Sequence, residues 1–580
     1  MSWRDLYCGE LRSDHVGKRV TVAGWVDTRR DHGGLVFVDL RDHTGKLQLV
    51  VNPERAADAQ QAAHDIRNEF VVQAEGEVVA RAPEAVNPNL PTGGVEVQVD
   101  TLRILSRSTP LPFQLDEENV DETLRLRYRW LDMRRDKMQH NFRVQHIAIA
   151  GIRRRMDALG FVDVWTPSMT RGTPEGARDF LVPVRLQPGK FFALAQSPQL
   201  FKQLCMVGGI DRYYQIATCW RDEDLRADRQ FEFRQLDLEM AFVEREDVLD
   251  VMEQAVVAAF EAVGDAPPPS RPFERISFDE AMAKYGNDRP DRRFGMEIQE
   301  ATAVTRDSEF GVFRGAPTVR YIVAPKAFSR AELGRLEDLA KEWGAKGLAY
   351  IVVDESGEVR SPIAKFLSEQ ELAAFKADPD STILFGAGDE AAVARVLGLL
   401  RLHLGRELDL IDTDRNDFHW VLDFPLFEQD EETGQWTFLH HAFTAPVHGQ
   451  ETWDESNPEG VRGQHYDLIW NGWELGSGSL RIHDVELQQR VFRTMGLSDE
   501  EANSKFGFLL EALAMGAPPH GGFAMGIERF VAQLAHEPDI RQVVAFPKVS
   551  SGSDPLTGAP TPMPHEILRE LGIEALPPQP

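Results

Sequence analysis

The side chains best suited to chemistry lie in one charged hairpin, Cys219-Trp-Arg-Asp-Glu-Asp-Leu-Arg-Ala-Asp-Arg-Gln-Phe-Glu-Phe-Arg-Gln-Leu-Asp-Leu-Glu-Met240. Strand side chains point to opposite faces with period two. That parity puts Phe233, Gln235, Asp237 and Glu239 on one face of the second arm, and Leu236, Leu238 and Met240 on the other. On the first arm Arg221 and Glu223 share a face, with Tyr214 and Ile216 available to the buried one. Such a front suits a nucleotide. Arginine offers a planar fork to phosphate, glutamate accepts from an exocyclic amine, and Phe233 can stack on a base. On charge alone, a solvated hairpin with salt-bridged strands is the alternative.

Two later stretches carry complementary groups. In Tyr466-Asp-Leu-Ile-Trp-Asn-Gly-Trp-Glu474 the Asn-Gly pair predicts a two-residue hairpin. Pairing Trp470 with Trp473 sets Ile469 opposite Glu474, and Asp467 shares that face. Two converging carboxylates suit Mg²⁺ on the phosphates of ATP; two exposed strand acids are the alternative. The neighbouring Gly-Ser-Gly-Ser-Leu-Arg-Ile-His483 lets backbone approach a ligand. In Ala517-Pro-Pro-His-Gly-Gly-Phe-Ala-Met-Gly-Ile-Glu-Arg529 a glycine-bearing strand runs into a helix beginning near Ile527. Arg529 then falls in its first turn, a natural seat for a terminal phosphate.

The elements that must position these groups imply several domains, since 580 residues exceed one core. Residues 1–106 predict a small β-barrel: strands Arg19–Thr28, Leu35–Leu40, Lys46–Val51, Phe70–Ala80 and Val95–Leu105, with a helix over Pro53–Asn68. Five strands with a helix after the third is the order of an OB-fold. Proline density marks a hinge over 107–140, whose arginines could reach a phosphate backbone. A helix over Phe142–Leu159 follows. The composition, 42% hydrophobic and 27% charged, without about 18 consecutive apolar residues or an N-terminal signal core, predicts a cytoplasmic chain with no membrane span. Three cysteines give neither a zinc spacing nor a disulfide framework. A net charge of −29 argues against general nucleic-acid binding, but not against a specific RNA held by local cations.

Three blocks in order carry a resemblance: Thr173-Pro-Glu-Gly-Ala-Arg-Asp-Phe180, Gln196-Ser-Pro-Gln-Leu-Phe-Lys202 and Arg221-Asp-Glu-Asp-Leu-Arg-Ala-Asp-Arg-Gln230. They resemble the class II aminoacyl-tRNA synthetases, and among these the bacterial-type aspartyl-tRNA synthetases, over nearly the whole chain. The hairpin resembles motif 2, Gly160–Met169 with Pro167 resembles motif 1 at the homodimer contact, and Ala517–Arg529 resembles motif 3. The implied fold is a multidomain α+β chain. An OB-fold anticodon domain (1–106) and a hinge (107–140) precede a catalytic antiparallel sheet flanked by helices. That sheet is split into 141–292 and 411–555 by an α/β insertion (293–410), and 556–580 is a C-terminal extension.

The resemblance implies ATP-dependent attachment of L-aspartate to the aspartate tRNA through an aspartyl-adenylate, with Mg²⁺. It assigns Glu175, Ser197, Gln199, Lys202, Asp237, His440 and Arg481 to aspartate, with Lys202 and Arg481 as the cations for its side-chain carboxylate. Asparagine would then leave positive charge unpaired. Arg221, Asp222, Glu223, Gln230, Phe233, Glu474, Gly526, Ile527, Glu528 and Arg529 are implied for ATP, with Arg221 and Arg529 on its phosphates, and Asp467 and Glu474 for the metal. Arg30, His32, Phe37, Gln48 and Glu96 are implied for the anticodon; for Phe37, barrel core is the alternative.

Local departures stand out. The family usually has Pro and Thr at Phe231 and Arg234, a glycine at Ser477, Asp at Glu528 and Pro at Ala442. Members strict for the aspartate tRNA often have Leu at His32, and members that also charge the asparagine tRNA often have His. A neutral imidazole can satisfy either pairing edge of the third anticodon base; an incidental turn histidine is the alternative. Asparaginyl or lysyl sister enzymes fit the paired cations poorly. A catalytically silent RNA-binding relative fits the intact arginines poorly.

Overall fold

The structure, a computed structural model, describes residues 3–172, 176–375, 377–430 and 433–575. They form two compact units, 1–140 and 141–580.

The first unit is a closed barrel of β1 (Arg19–His32), β2 (Leu35–Asp42), β3 (Gly45–Val51), β4 (Val71–Ala80) and β5 (Val95–Ser106), in the order β1-β2-β3-β5-β4. Alternation builds its core: Val20, Val22, Val36, Val38, Leu40, Leu47 and Leu49 point inward. β1 continues past Thr28 to His32, which pairs with Leu35 across a turn at Gly33 and Gly34. Both glycines have positive φ (61° and 92°), which a side chain would resist. The helix spans only Ala57–Asp65, because Asn52 turns the preceding segment with its side chain and carbonyl.

Residues 107–140 are more ordered than their prolines predict. Asp121 caps a helix over Glu122–Arg127, and a short helix Arg129–Asp132 follows. Arg129 is buried against Asp132 at 2.6 Å, and Arg134 donates to Glu69 at 2.9 Å. Of the arginines expected to face a phosphate backbone here, Arg107 and Arg127 are exposed, Arg125, Arg134 and Arg135 half-buried and Arg129 buried. The next helix begins at Asp136, six residues before the expected start.

The second unit is organised by an eight-stranded sheet. Its strands are β6 (Val162–Asp163), β7 (Arg212–Trp220), β8 (Glu232–Ala241), β9 (Glu274–Ser277), β10 (Phe418–Leu422), β11 (His465–Trp470), β12 (Trp473–Leu480) and β13 (His520–Gly526). They run β9-β10-β11-β12-β13-β8-β7-β6, parallel only at the two ends. One face carries the core. Val144, Ala148, Ile152 and Met156, four residues apart on one helix, pack with Leu236, Leu238 and Met240 and with the helices Arg245–Val263 and Ile527–Leu534. A helix turns every 3.6 residues, so that spacing makes one apolar stripe. Residues 299–388 contribute a separate five-stranded sheet with an apolar cluster on each face. Among the described residues, no helix is long and apolar enough to cross a membrane.

Candidate active site

The other face of the large sheet opens into a cavity of about 280 Å³. β7 and β8 pair as the alternation requires, from Arg212↔Met240 to Trp220↔Glu232. Leu236, Leu238 and Met240 are therefore core, while Phe233, Gln235 and Asp237 face the cavity with Arg221 and Glu223. β13 lies beside β8, and the helix that follows starts at Ile527, so Arg529 reaches the same cavity. The two arginines, 308 positions apart in the chain, share one cleft. Arg221 sits over the Phe233 ring at 5.1 Å, a cation–π contact on the face expected to stack on a base.

At the floor are Ser197, Gln199, Lys202, Asp237 and Arg481. Lys202 Nζ lies 2.5 Å from Asp237 Oδ1 and 3.4 Å from Glu239 Oε2. Arg481 Nε donates to Glu239 Oε1 at 2.9 Å and Nη2 to Oε2 at 3.2 Å. Glu239 is the residue that the sequence placed on this face but left without a role. Its partner lies 242 positions away, a distance over which strand parity carries no signal. Burial raises the Glu239 carboxyl, but Arg481 and Lys202 outweigh it and hold the group low. Burial pushes Asp237 up despite Lys202. Two cations thus face two carboxylates, and one edge of the Arg481 guanidinium is already paired.

Both His440 and His441 line the cavity. His441, to which the sequence reading gave no role, lies with Nε2 2.6 Å from Arg481 Nη1. Burial first, then the Arg481 charge, keeps His441 neutral. His440 is stacked on His465, centroids 3.4 Å apart and planes at 11°. Burial lowers its pKa to about 3.

The hairpin at Asn471-Gly472 forms with Trp470↔Trp473 and Ile469↔Glu474 as expected, but Leu475 is then bulged out. Beyond it Asp467 faces Ser477. Glu474 lines the cavity; Asp467 is buried, 2.7 Å from His465 Nε2, which is also 3.2 Å from Ser477 Oγ. The Ser477 departure therefore has a partner. Burial pushes Asp467 up to about 7. Burial, and then the Asp467 charge, does the same to Glu474. Two neighbouring carboxylates so disfavoured as anions fit a divalent cation.

His440, His465 and Asp467 bring ligand atoms within 4.8 Å of one another, a grouping that the sequence spacing did not reveal. The two imidazoles are stacked nearly parallel, so their lone pairs lie in separate planes. A tetrahedral zinc site needs convergence.

Several expected groups are engaged otherwise. Gln230 reaches the cavity, but its amide bonds both the N–H (2.8 Å) and the carbonyl (3.1 Å) of Lys548. Glu528 takes Arg234 Nε at 2.8 Å and its N–H at 2.9 Å. Ile527 is core, and Asp222 bonds Arg178 through its backbone. Gly526 lines the cavity. Phe231 packs edge-on against Phe180. Glu175 lies outside the described residues.

In the barrel unit, Phe37 is half-buried on the outer face between core Val36 and Val38, so it is not barrel core. Arg30 donates to both Asp39 oxygens (2.8 and 3.0 Å) and lies 3.4 Å from Gln48 Oε1, while Gln48 donates to Glu96 at 2.8 Å. Exposed His32 sits edge-on to Phe37, centroids 6.2 Å apart. Asp39, missed in the sequence, ties this face together.

The sequence profile described as "tRNA synthetases class II (D, K and N)" matches residues 121–550, and that of an OB-fold nucleic acid binding domain matches 20–105. The chain is 47% identical to an aspartate–tRNA ligase of Geobacillus kaustophilus, covering 99% of each. It is 49% identical to an aspartate–tRNA(Asp/Asn) ligase of Symbiobacterium thermophilum over 98% of this chain and 99% of that one. For one of Thermobifida fusca the figure is 49% over 98% of each. The fold is similar to an asparaginyl-tRNA synthetase of Pyrococcus horikoshii complexed with asparaginyl-adenylate, with TM-score 0.60, 21% identity, and 93% and 97% of the two chains covered. Over both of its units, the chain belongs to the class II tRNA synthetases of the D, K and N group, and within them to the aspartate–tRNA ligases.

Proposed function

We propose that the protein attaches L-aspartate to tRNA in two steps. The aspartate α-carboxylate attacks the α-phosphate of ATP in line, forming aspartyl-adenylate and releasing pyrophosphate. A hydroxyl of the tRNA's 3′-terminal ribose then takes the aspartyl group and AMP leaves. The observation that carries this reading is the shared cleft: Arg221 and Arg529 on its walls, Lys202 and Arg481 at its floor. Arg221 stabilises the charge developing on the α-phosphate and Arg529 holds the γ-phosphate, as fixed cations require no reorganisation during reaction. Lys202 and Arg481 orient the substrate's side-chain carboxylate. Glu223 and Phe233 hold adenine, with Phe233 freed when Arg221 moves to phosphate.

Asp467 and Glu474 would hold Mg²⁺, which would neutralise charge on the bridging phosphate oxygens. The exposed apolar Val162, Trp165 and Met169, beside the open edge strand β6, support a homodimer built on that edge. The barrel face of Arg30, Phe37, Gln48 and Glu96 reads the anticodon. The place of action is the cytoplasm.

The second reading concerns breadth. Exposed His32 beside Phe37, together with relatives named aspartate–tRNA(Asp/Asn) ligases, favours charging of the asparagine tRNA as well. Aspartate-dependent ATP–pyrophosphate exchange tests the chemistry, and no exchange would leave only an RNA-binding protein. Charging both tRNA transcripts tests the breadth. His32→Leu should lower asparagine-tRNA charging relative to aspartate-tRNA charging by about tenfold, the worth of roughly 1.4 kcal/mol. An unchanged ratio would remove His32 from the argument.

A further inference from the structure

Two groups assigned to the nucleotide are already paired within the chain, by adjacent residues of opposite sign. Arg229 Nη1 donates to Glu223 Oε2 at 3.0 Å. Asp228 engages Arg529 twice: its carbonyl accepts from Nε at 3.2 Å, and its Oδ2 lies 3.3 Å from Nη2. Arg529 Nη1 is taken by the Glu474 carbonyl at 3.0 Å. The loop backbone is fixed on both sides of this pair. Ile540 N–H donates to the Ala227 carbonyl at 2.9 Å, and the Gln230 amide is bonded to Lys548 in both directions.

These contacts differ in kind. The carbonyl contacts on Nε and Nη1 come from anchored backbone and set the guanidinium plane. The Asp228 carboxylate ends a side chain on that backbone, and both it and Arg529 are partly exposed (26% and 21%). An exposed pair of this length is weakly held. The Arg481–Glu239 pair, by contrast, is dry on both sides (1% and 0%). Arg529 therefore has two fixed carbonyl partners and two carboxylates nearby, Asp228 Oδ2 at 3.3 Å from Nη2 and, farther off, Glu474 Oε1 at 3.9 Å from Nη1.

We propose that Asp228 is a positioning residue that sets the affinity for the terminal phosphates of the nucleotide. Its carbonyl orients Arg529, and its carboxylate occupies Nη2 until a phosphate oxygen displaces it. The proposal rests on the reading of Arg529 as a phosphate ligand. Binding is then an exchange of one anion for another, and Asp228 lowers affinity by competing for Nη2 and repelling the incoming phosphate.

Calorimetry on the full-length chain, with ATP, inorganic tripolyphosphate or AMP as the titrant, tests this. Asp228→Asn keeps the carbonyl and removes the charge. It should bind ATP and tripolyphosphate about two- to fivefold more tightly, the range of an exposed ion pair, with AMP binding unchanged. Arg529→Gln should weaken ATP binding, and adding Asp228→Asn to it should then give no gain. Equal or weaker ATP binding by Asp228→Asn, a gain that extends to AMP, or a gain that survives in the Arg529→Gln background would overturn the role of Asp228. Undiminished ATP binding by Arg529→Gln would instead sink the phosphate reading of Arg529, and the proposal with it. Thermal unfolding of each variant separates altered binding from altered folding.

Discussion

Arg481 and Glu239, both buried in the floor of the cavity, meet through two parallel hydrogen bonds of 2.9 and 3.2 Å. With Lys202 on Asp237, this makes a neutral quartet rather than a bare cationic pocket. With Lys202 and Arg481 as the proposed ligands of the substrate's side-chain carboxylate, selection of aspartate over asparagine would rest on where the charges lie, not on how many there are. An amide nitrogen placed beside Lys202 and Arg481 would set donor against donor, whereas a carboxylate accepts through both oxygens.

Removing either partner of that pair strands a dry charge. Glu239→Gln should destabilise the catalytic unit by about 3–5 kcal/mol, read from urea unfolding of that unit. Arg481→Lys keeps the charge but not the fork. It should raise KM for aspartate and cut kcat/KM by roughly tenfold or more, a loss of about 1.5–3 kcal/mol for a charged hydrogen bond. Unchanged aspartate kinetics would remove Arg481 from the substrate.

Arg234 and Glu528 are both departures from the family pattern, and each accounts for the other. Glu528 is buried and spends both oxygens on Arg234. Arg234→Thr alone leaves a buried carboxylate with only a backbone N–H, and should cost about 1–3 kcal/mol. Glu528→Gln in that background should recover part of it. A double-mutant cycle should give a coupling of about 0.5–3 kcal/mol; zero coupling would mean that the two changes are independent.

How much of this was legible in the sequence follows from range. Alternation over Phe231–Met240 fixed which side chains face the cavity, and Asn471-Gly472 fixed the hairpin pairing, because both are local rules. The bulge at Leu475 obeys no such rule. It set Ser477 opposite Asp467, so that both reach His465 Nε2. Periodicity names a face but not a partner, so the pairs 239–481, 234–528 and 228–529 needed coordinates. The same limit misassigned the hinge arginines: Arg129 and Arg134 read as a basic patch until Asp132 and Glu69 were found opposite them.

The buried histidines predict an acid limit to stability. His440 is held neutral, its pKa lowered to about 3. Below pH about 6.5 the unfolded chain gains a proton there that the fold refuses, so stability falls as pH falls. The slope is about 1.4 kcal/mol per pH unit for each such histidine. Asp467 and Glu474, raised to about 7, act in the opposite sense, since the fold takes up their protons first. His440→Phe keeps a ring on His465 and removes the refused proton. Between pH 5 and 6.5 its stability should fall less steeply than that of the natural protein by about one such slope; parallel curves would mean that His440 accepts a proton in the fold.

The last prediction concerns the barrel. Arg30 is exposed, and an exposed arginine samples many rotamers unless a partner holds it. Asp39 supplies that partner through both oxygens, and its own orientation is set by Thr28 Oγ1 at 2.6 Å. Asp39→Ala removes the two bonds that hold Arg30 beside Gln48. The KM for tRNA in aminoacylation should rise roughly fivefold, the worth of one ordered hydrogen bond of about 1 kcal/mol. ATP–pyrophosphate exchange, which precedes tRNA in the reaction, serves as the internal control. A Thr28→Val variant loosens Asp39 without touching Arg30 and should give a smaller change of the same sign. If Asp39→Ala left the KM for tRNA unaltered, Arg30 would need no orienting partner, and the outer barrel face would not be the preformed surface described above.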